Sequence, residues 1–192
     1  MIEKFYPQQK YQEKVARVKK QFAQLFEADM PIAMQKDTNH VFRNKSRQST
    51  LDLRDFNHVI EVDTEKGIAV VEGMVNFYDF VDTVLPLGFM PQAVPELRTI
   101  TVGGVIAGLG GQSSSFKYGL VHEMVTDFDL LTGTGEVIHC SPESHADIFH
   151  MLPNSYGYIG YVLKCTIKLA PVKKYVKVDY LRFRDTKDFL PK

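Results

Sequence analysis

Residues 95–119 read PELRTITVGGVIAGLGGQSSSFKYG, and this stretch organises the chain around it. It holds six of the chain's thirteen glycines and three consecutive serines, Ser113 to Ser115. A fixed glycine costs backbone entropy, so such a density needs a reason. Either the backbone must take φ > 0, or something must approach it closely. Close approach suits a polyphosphate, because bare N–H groups and hydroxyls reach anionic oxygens where no Cβ intervenes. A flexible linker is the alternative, but TVGGVIAGL is apolar as well as glycine-rich, unlike a solvated linker. Thr101 is placed to cap a short helix over Val102 to Ala107 whose free N–H groups face the anion. A helix dipole contributes roughly 0.3–1 kcal/mol per charge, so direct hydrogen bonds must supply most of the hold.

Toward the N-terminus, Tyr11, Val15, Val18, Phe22, Leu25 and Phe26 recur at helical spacing and predict an amphipathic helix from Gln8 to Ala28. Ile32 to Met34 reads as a short strand running into the polar segment Lys36 to Arg43. Lys36, Thr38, Asn39 and His40 would then stand at a strand's carboxyl end, where α/β folds bind ligands; an ordinary βα turn reads equally well. Leu51 to Leu53 is a candidate strand. Val59 to Asp63 and Ile68 to Glu72 alternate across Thr64-Glu65-Lys66-Gly67, a hairpin with Gly67 at positive φ. Asn76 caps a predicted helix that presents Phe77, Phe80, Val81, Val84 and Leu85 on one face and stops at Gly88.

Beyond the glycine block, Val125 to Leu131 and Glu136 to Cys140 form a second hairpin. Ser141-Pro142 predicts a cap and first turn of a helix reaching Met151. Apolar odd positions from Tyr161 to Leu169, with Lys164, Thr166 and Lys168 between them, predict a half-buried antiparallel strand. Tyr175 to Phe183 alternates again, as a further strand would. The expected fold class is α+β: one domain over 1–192, with a small α/β lobe (about 1–88) and a larger lobe (about 89–183) built on a mainly antiparallel sheet flanked by helices.

Composition narrows the partners. Lys and Arg total 23 against 23 Asp and Glu, without the basic excess of a nucleic-acid footprint. Cys140 and Cys165 lie in strand-like stretches and not in a CxxC, which predicts reduced core thiols. No run approaches the ~18 apolar residues of a membrane span and the N-terminus is polar, so a cytoplasmic protein is expected. The histidines show no metal-ligand spacing.

Val94 to Leu120, VPELRTITVGGVIAGLGGQSSSFKYGL, resembles the pattern LPELxxLTVGGxIxGxGxxSSSxKYGL of the Δ24-sterol reductase (diminuto-like) branch of the vanillyl-alcohol oxidase and p-cresol methylhydroxylase superfamily. The likeness continues through Cys140 to Glu143, Asp147 to Phe149, Gly157 to Gly160 and Pro171 to Val176, and covers about 32–178. Pro95-Glu96 stands where Pro-Gly is common elsewhere in the superfamily, in agreement with this branch. The resemblance implies a two-lobed PCMH-type FAD-binding domain. It implies that Thr101, Val102, Gly103, Gly104, Gly108, Ser113, Ser114, Ser115, Lys117, Tyr118 and Gly119 line the FAD pyrophosphate and ribityl region, and that Gly157, Ile159, Gly160 and Val162 flank the adenine. Lys36 to Phe42 would be the first pyrophosphate loop, although Lys36 replaces an arginine and its glycines are missing. The branch implies non-covalent FAD, whereas the spacing Lys36-x-Thr38-x-His40-x-Phe42 resembles members whose histidine is joined to the flavin 8α-methyl.

Two functions follow as expectations. The first is the FAD domain of an FAD-linked oxidoreductase, passing hydride between flavin N5 and a small apolar or alcohol substrate; the resemblance to the Δ24-sterol reductase branch implies a sterol. Its substrate-binding domain, which the superfamily places after the FAD domain, would be absent here. The second is a non-catalytic FAD module docking a separate substrate-binding chain. A phosphate-binding domain of another α/β fold ranks last, because residues 101–111 follow no clear strand.

Overall fold

The computed structural model describes residues 1–30, 32–35 and 51–190. Among them, seven strands form one sheet: β1 (Ile2–Lys4), β4 (Val59–Asp63), β5 (Ile68–Glu72), β6 (Phe89–Pro91), β7 (Val125–Thr132), β8 (Val137–Cys140) and β9 (Gly160–Pro171). The order is β1-β4-β5-β9-β7-β8, with β6 also pairing β9, and every pairing in this sheet is antiparallel. β2 (Met34–Gln35) and β3 (Leu51–Asp52) make a separate parallel pair. The class is α+β, as the alternating segments predict.

The central strand is β9. Its odd positions Leu163, Cys165, Ile167 and Leu169 are buried, while Lys168 is exposed. It reaches β5 through Cys165↔Val71 and β7 through Cys165↔Phe128. Residues on both sides of the glycine block therefore meet on one strand. Helices α2 (Phe77–Val84) and α3 (Val102–Gly108) share one core cluster with Phe128, Val162 and Ile167, and Ile148 and Phe149 of α5 (Ala146–Met151) pack against it. Helix α1 (Gln8–Glu27) shares a second cluster with Leu53, Phe56, Leu131 and Leu163. Asn76 caps α2 by accepting from the Asp79 N–H at 2.9 Å, and Gly67 and Gly88 take φ of 63° and 83°, as expected. Both cysteines are buried free thiols; burial pushes the Cys140 thiol up to about 11.

Two expected elements differ. The helix assigned to Ser141-Pro142 begins only at Ala146. The Ser141 hydroxyl accepts the N–H groups of Glu143 and Ser144, and the backbones of Ser141 and Ser144 pair, so a tight turn wins over a helical first turn. The strand expected over Tyr175 to Phe183 does not form: the segment is irregular and exposed. Alternation makes a strand only where a ladder partner exists, and among the described residues this segment has none.

Two polar clusters fasten α1 to its side of the sheet. Lys14 donates to both Glu72 carboxylate oxygens at 2.8 Å and to the Asp55 carbonyl at 2.6 Å, with Glu72 fully buried. The Glu72 carboxylate also accepts the His58 backbone N–H at 2.9 Å. One turn nearer the start of the helix, Tyr11 donates to Asp129 at 2.7 Å, and Lys164 and His139 reach the same carboxylate at 3.0 and 2.9 Å. Burial pushes the Asp129 carboxyl up, but the His139 and Tyr11 hydrogen bonds and the Lys164 charge outweigh it and hold it below the usual range.

Candidate cofactor-binding site

The glycine block folds as α3, a left-handed exit, and a short helix α4 (Ser115–Tyr118) ending at Gly119. α3 starts at Val102 as expected, but its N-terminus is not a row of free donors. The Val102 N–H donates to the Val75 carbonyl and the Gly103 N–H to the Gly73 carbonyl, each at 2.8 Å. Thr101 sits at the N-cap in extended conformation yet makes no capping bond. Its side chain is buried and its hydroxyl has no partner among the described residues. The Gly104 N–H likewise has none. One backbone donor and one hydroxyl at the start of α3 thus have no partner among the described residues.

Glycine is required here by main chains crossing main chains. A Cβ on Gly103 would lie 3.0 Å from the Gly73 carbonyl oxygen and 3.3 Å from Val162 Cβ. A Cβ on Gly73 would run into the Val162 carbonyl, and the Gly73 N–H donates to the Leu163 carbonyl at 2.8 Å. The end of β5, the start of α3 and the start of β9 therefore touch at a junction where Gly73 and Gly103 leave room for main chain, beside the Val162 side chain. Sequence reasoning passed over Gly73; a glycine directly after an alternating strand, Glu72-Gly73-Met74, is the signal that marks such an approach.

The expected residues of the block divide by what they do. Ser114 donates its hydroxyl to the Gln92 carbonyl at 2.8 Å, and Ser115 accepts the Gln112 N–H at 2.9 Å while keeping its own proton to donate. Ser113 is exposed, as is Lys117, whose ammonium lies 4.7 Å from the Tyr118 ring centre. Pro95 is buried; the Glu96 N–H donates to the Gln112 side chain at 3.3 Å. Gly119 has φ of 81°, and a Cβ there would strike the Glu123 carboxylate, which accepts the Leu120 N–H at 2.6 Å. Its glycine is thus explained by the turn itself.

The third segment comes to the same place. The Tyr156 N–H donates to the Ala107 carbonyl at 3.0 Å, and a Cβ on Gly108 would lie 4.0 Å from the Tyr156 ring. Leu109, Asn154 and Tyr156 hold φ of 59°, 65° and 52°, and Gly157 holds 87°. Left-handed non-glycine residues cost stability, and their gathering where these two loops meet marks a place the fold over-determines. Gly160 lies against the Leu131 carbonyl, Val162 is buried at the junction, and Ile159 packs on the core. Of the three expected loops, the second and third are thus adjacent. The first, with Lys36, Thr38, Asn39 and His40, lies outside the described residues, as does Phe42.

This geometry fits a flat, anionic dinucleotide: donors of Thr101 and Gly104 with no partner among the described residues, next to the close main-chain approach of Gly73 and Gly103. A family model described as FAD binding domain matches residues 13–141. The chain belongs to this family. FAD is its cofactor. Among similar proteins are Delta(24)-sterol reductase of Homo sapiens, 37% identical over 122 residues, and that of Pisum sativum, 33% identical over 137. These matches cover 64% and 71% of this chain and 24% of each reductase, so the FAD-binding chain spans about a quarter of the length of the curated relatives it matches. Cytokinin dehydrogenase 10 of Oryza sativa subsp. japonica is 32% identical over 135 residues, 69% of this chain and 24% of that protein. The crystal structure of 6-hydroxy-D-nicotine oxidase from Arthrobacter nicotinovorans superposes with a TM-score of 0.73 over 82% of this chain and 35% of that one. At 21% identity that likeness shows the fold.

Proposed function

We propose that this chain is the cofactor-holding part of an FAD-linked oxidoreductase. Bound FAD supplies hydride transfer at flavin N5, and the protein's share is binding, orientation and electrostatics. In this reading the Gly104 N–H and the Thr101 hydroxyl donate to the cofactor's pyrophosphate, with Ser113 and Ser115 offering further hydroxyl protons. Gly103 and Gly108 keep the path clear of side chains. Lys117, Tyr118 and Gly119 close the ribityl end, and Gly157, Ile159, Gly160 and Val162 flank the adenine. Lys36, Thr38, Asn39 and His40 complete the pyrophosphate grip from the first loop.

The observation that carries this reading is the pair of donors, unpaired among the described residues, beside the glycine junction of Gly73 and Gly103, in a chain of the FAD-binding family. Gly104→Val tests it. The branched side chain would force the cofactor's oxygens away, so the purified variant should lose its flavin absorbance and bind FAD at least about tenfold more weakly, a shift of ~1.4 kcal/mol. Its unfolding midpoint without FAD should stay near that of the parent. A variant that stays yellow places the pyrophosphate elsewhere. Precipitation in acid decides the linkage: colour leaving the protein means non-covalent FAD, and colour staying with it means a bond through His40.

The block from Val94 to Leu120 favours a reductase of the Δ24-sterol type, acting on a small apolar or alcohol substrate. We assign the substrate contacts to a further domain or a partner chain, and no proton-transfer role to any residue described here. A cytoplasmic site of action belongs to the same reading, supported by two buried free thiols; among the described residues no helix is long and apolar enough to cross a membrane.

A further inference from the structure

Behind α3 lies a cavity of about 120 Å3. Ile106 of α3, His122, Val125 and Phe128 of β7, and Phe149 and His150 of α5 line it. Ile106 follows Gly104 by two residues, about 200° around a helix of 3.6 residues per turn. The Cα that brings Ile106 to the cavity is therefore on the opposite face of α3 from the Cα of Gly104. One wall is aromatic: the Phe128 and Phe149 rings stack at 5.4 Å and 14°, and His150 meets Phe149 edge-on at 5.3 Å.

The volume is in the class that accepts one small ring, since an apolar cavity of about 150 Å3 binds benzene. One atom asks for a partner: His122 Nδ1 is withdrawn from solvent and hydrogen-bonded to nothing. An unsatisfied buried polar atom costs stability that a ligand can return. The imidazole torsion is broad and two-fold, so the ring can turn Nδ1 to a ligand's O–H or N–H without leaving its place.

We propose that this cavity is a binding site for a flat single-ring molecule, apolar over its body and carrying one hydrogen-bonding edge, of the phenol or small-azole class. The ring lies against Phe128 and Phe149, and the polar edge meets His122. The site is separate from the FAD cradle and shares α3 with it.

The test uses the FAD-loaded protein with phenol and with benzene, which differ only in the hydroxyl. Phenol at ten times its dissociation constant should raise the melting temperature by about 3–6 °C. Benzene at the same concentration should raise it less. The flavin spectrum should persist, and the 15N resonance of His122 Nδ1 should move with phenol alone. In His122→Phe the preference for phenol should vanish. If that variant does not fold, the comparison of phenol with benzene on the parent protein stands by itself. No shift with either ring overturns the proposal, as does an equal response to both. Release of FAD by phenol would also overturn it, since the two sites would then be one.

Discussion

Glu72 and Gly73 are neighbours in the chain and serve opposite ways of joining a sheet to a helix. Toward α1 the sheet is fastened by side chains: Lys14 and Glu72 form a buried ion pair, and Tyr11, Lys164 and His139 converge on Asp129. Toward α3 its polar fastening is main chain to main chain, through Gly73, Gly103 and the Val162 carbonyl's neighbourhood, beside the apolar packing of Val102, Val105 and Ile106. The first seam depends on charges that must be paired, because a lone buried charge is very unfavourable. The second depends on atoms that must be missing.

The largest expected effect breaks the second seam. Gly73→Ala places a methyl group into the Val162 carbonyl of the central strand, which has no flexible end to swing away. A loss of about 4–5 kcal/mol or more is expected in urea unfolding, or no soluble protein at all. An alanine variant as stable as the parent would show that β9 yields there. The first seam should differ in being repairable. Lys14→Met leaves Glu72 buried without its partner and should cost about 3–5 kcal/mol; adding Glu72→Leu should return most of that, because an apolar pair of similar volume is often neutral. If the double variant is as unstable as the single one, the seam is held by more than that pair.

A smaller effect separates the two clusters of the α1 seam. Tyr11→Phe removes one hydrogen bond to a carboxylate and should cost about 1.5–3 kcal/mol at neutral pH. The smallest is a change in pH dependence. The folded state holds the Asp129 carboxyl below its ordinary value, so its contribution is fully present above the unfolded pKa of about 3.9 and is lost as pH falls through the folded one. Asp129→Asn should therefore be less stable than the parent near pH 6, and the gap should narrow as pH falls below 4. Urea midpoints across that range check it; a constant gap would mean that Asp129 contributes no pH-dependent stability.

Much of the fold was legible because periodicity reports burial directly. The spacing of Tyr11, Val18 and Phe22 predicted α1, and the hairpin turning at Gly67 and the strand from Tyr161 appear as read. Ser141-Pro142 misled because a serine hydroxyl serves a tight turn as well as a helix cap. Tyr175 to Phe183 misled because alternation records a surface suited to a sheet, not the presence of a neighbour. In the site, the glycine block announced close approach but not what approaches each residue. Gly103 is met by Gly73, Gly119 by Glu123, and Gly110 by Val105 and Val121.

The sequence by itself determined the α+β class, the apolar faces, the buried thiols and the FAD-binding family, because these rest on local period and on a motif whose spacing is contiguous. Only the tertiary structure decided which donors of that motif stay free. Whether the N–H of Gly103 or of Gly104 is available depends on where the Gly73 carbonyl lands, thirty residues away in the chain. A hydrogen bond between distant segments leaves no trace in the local pattern of either.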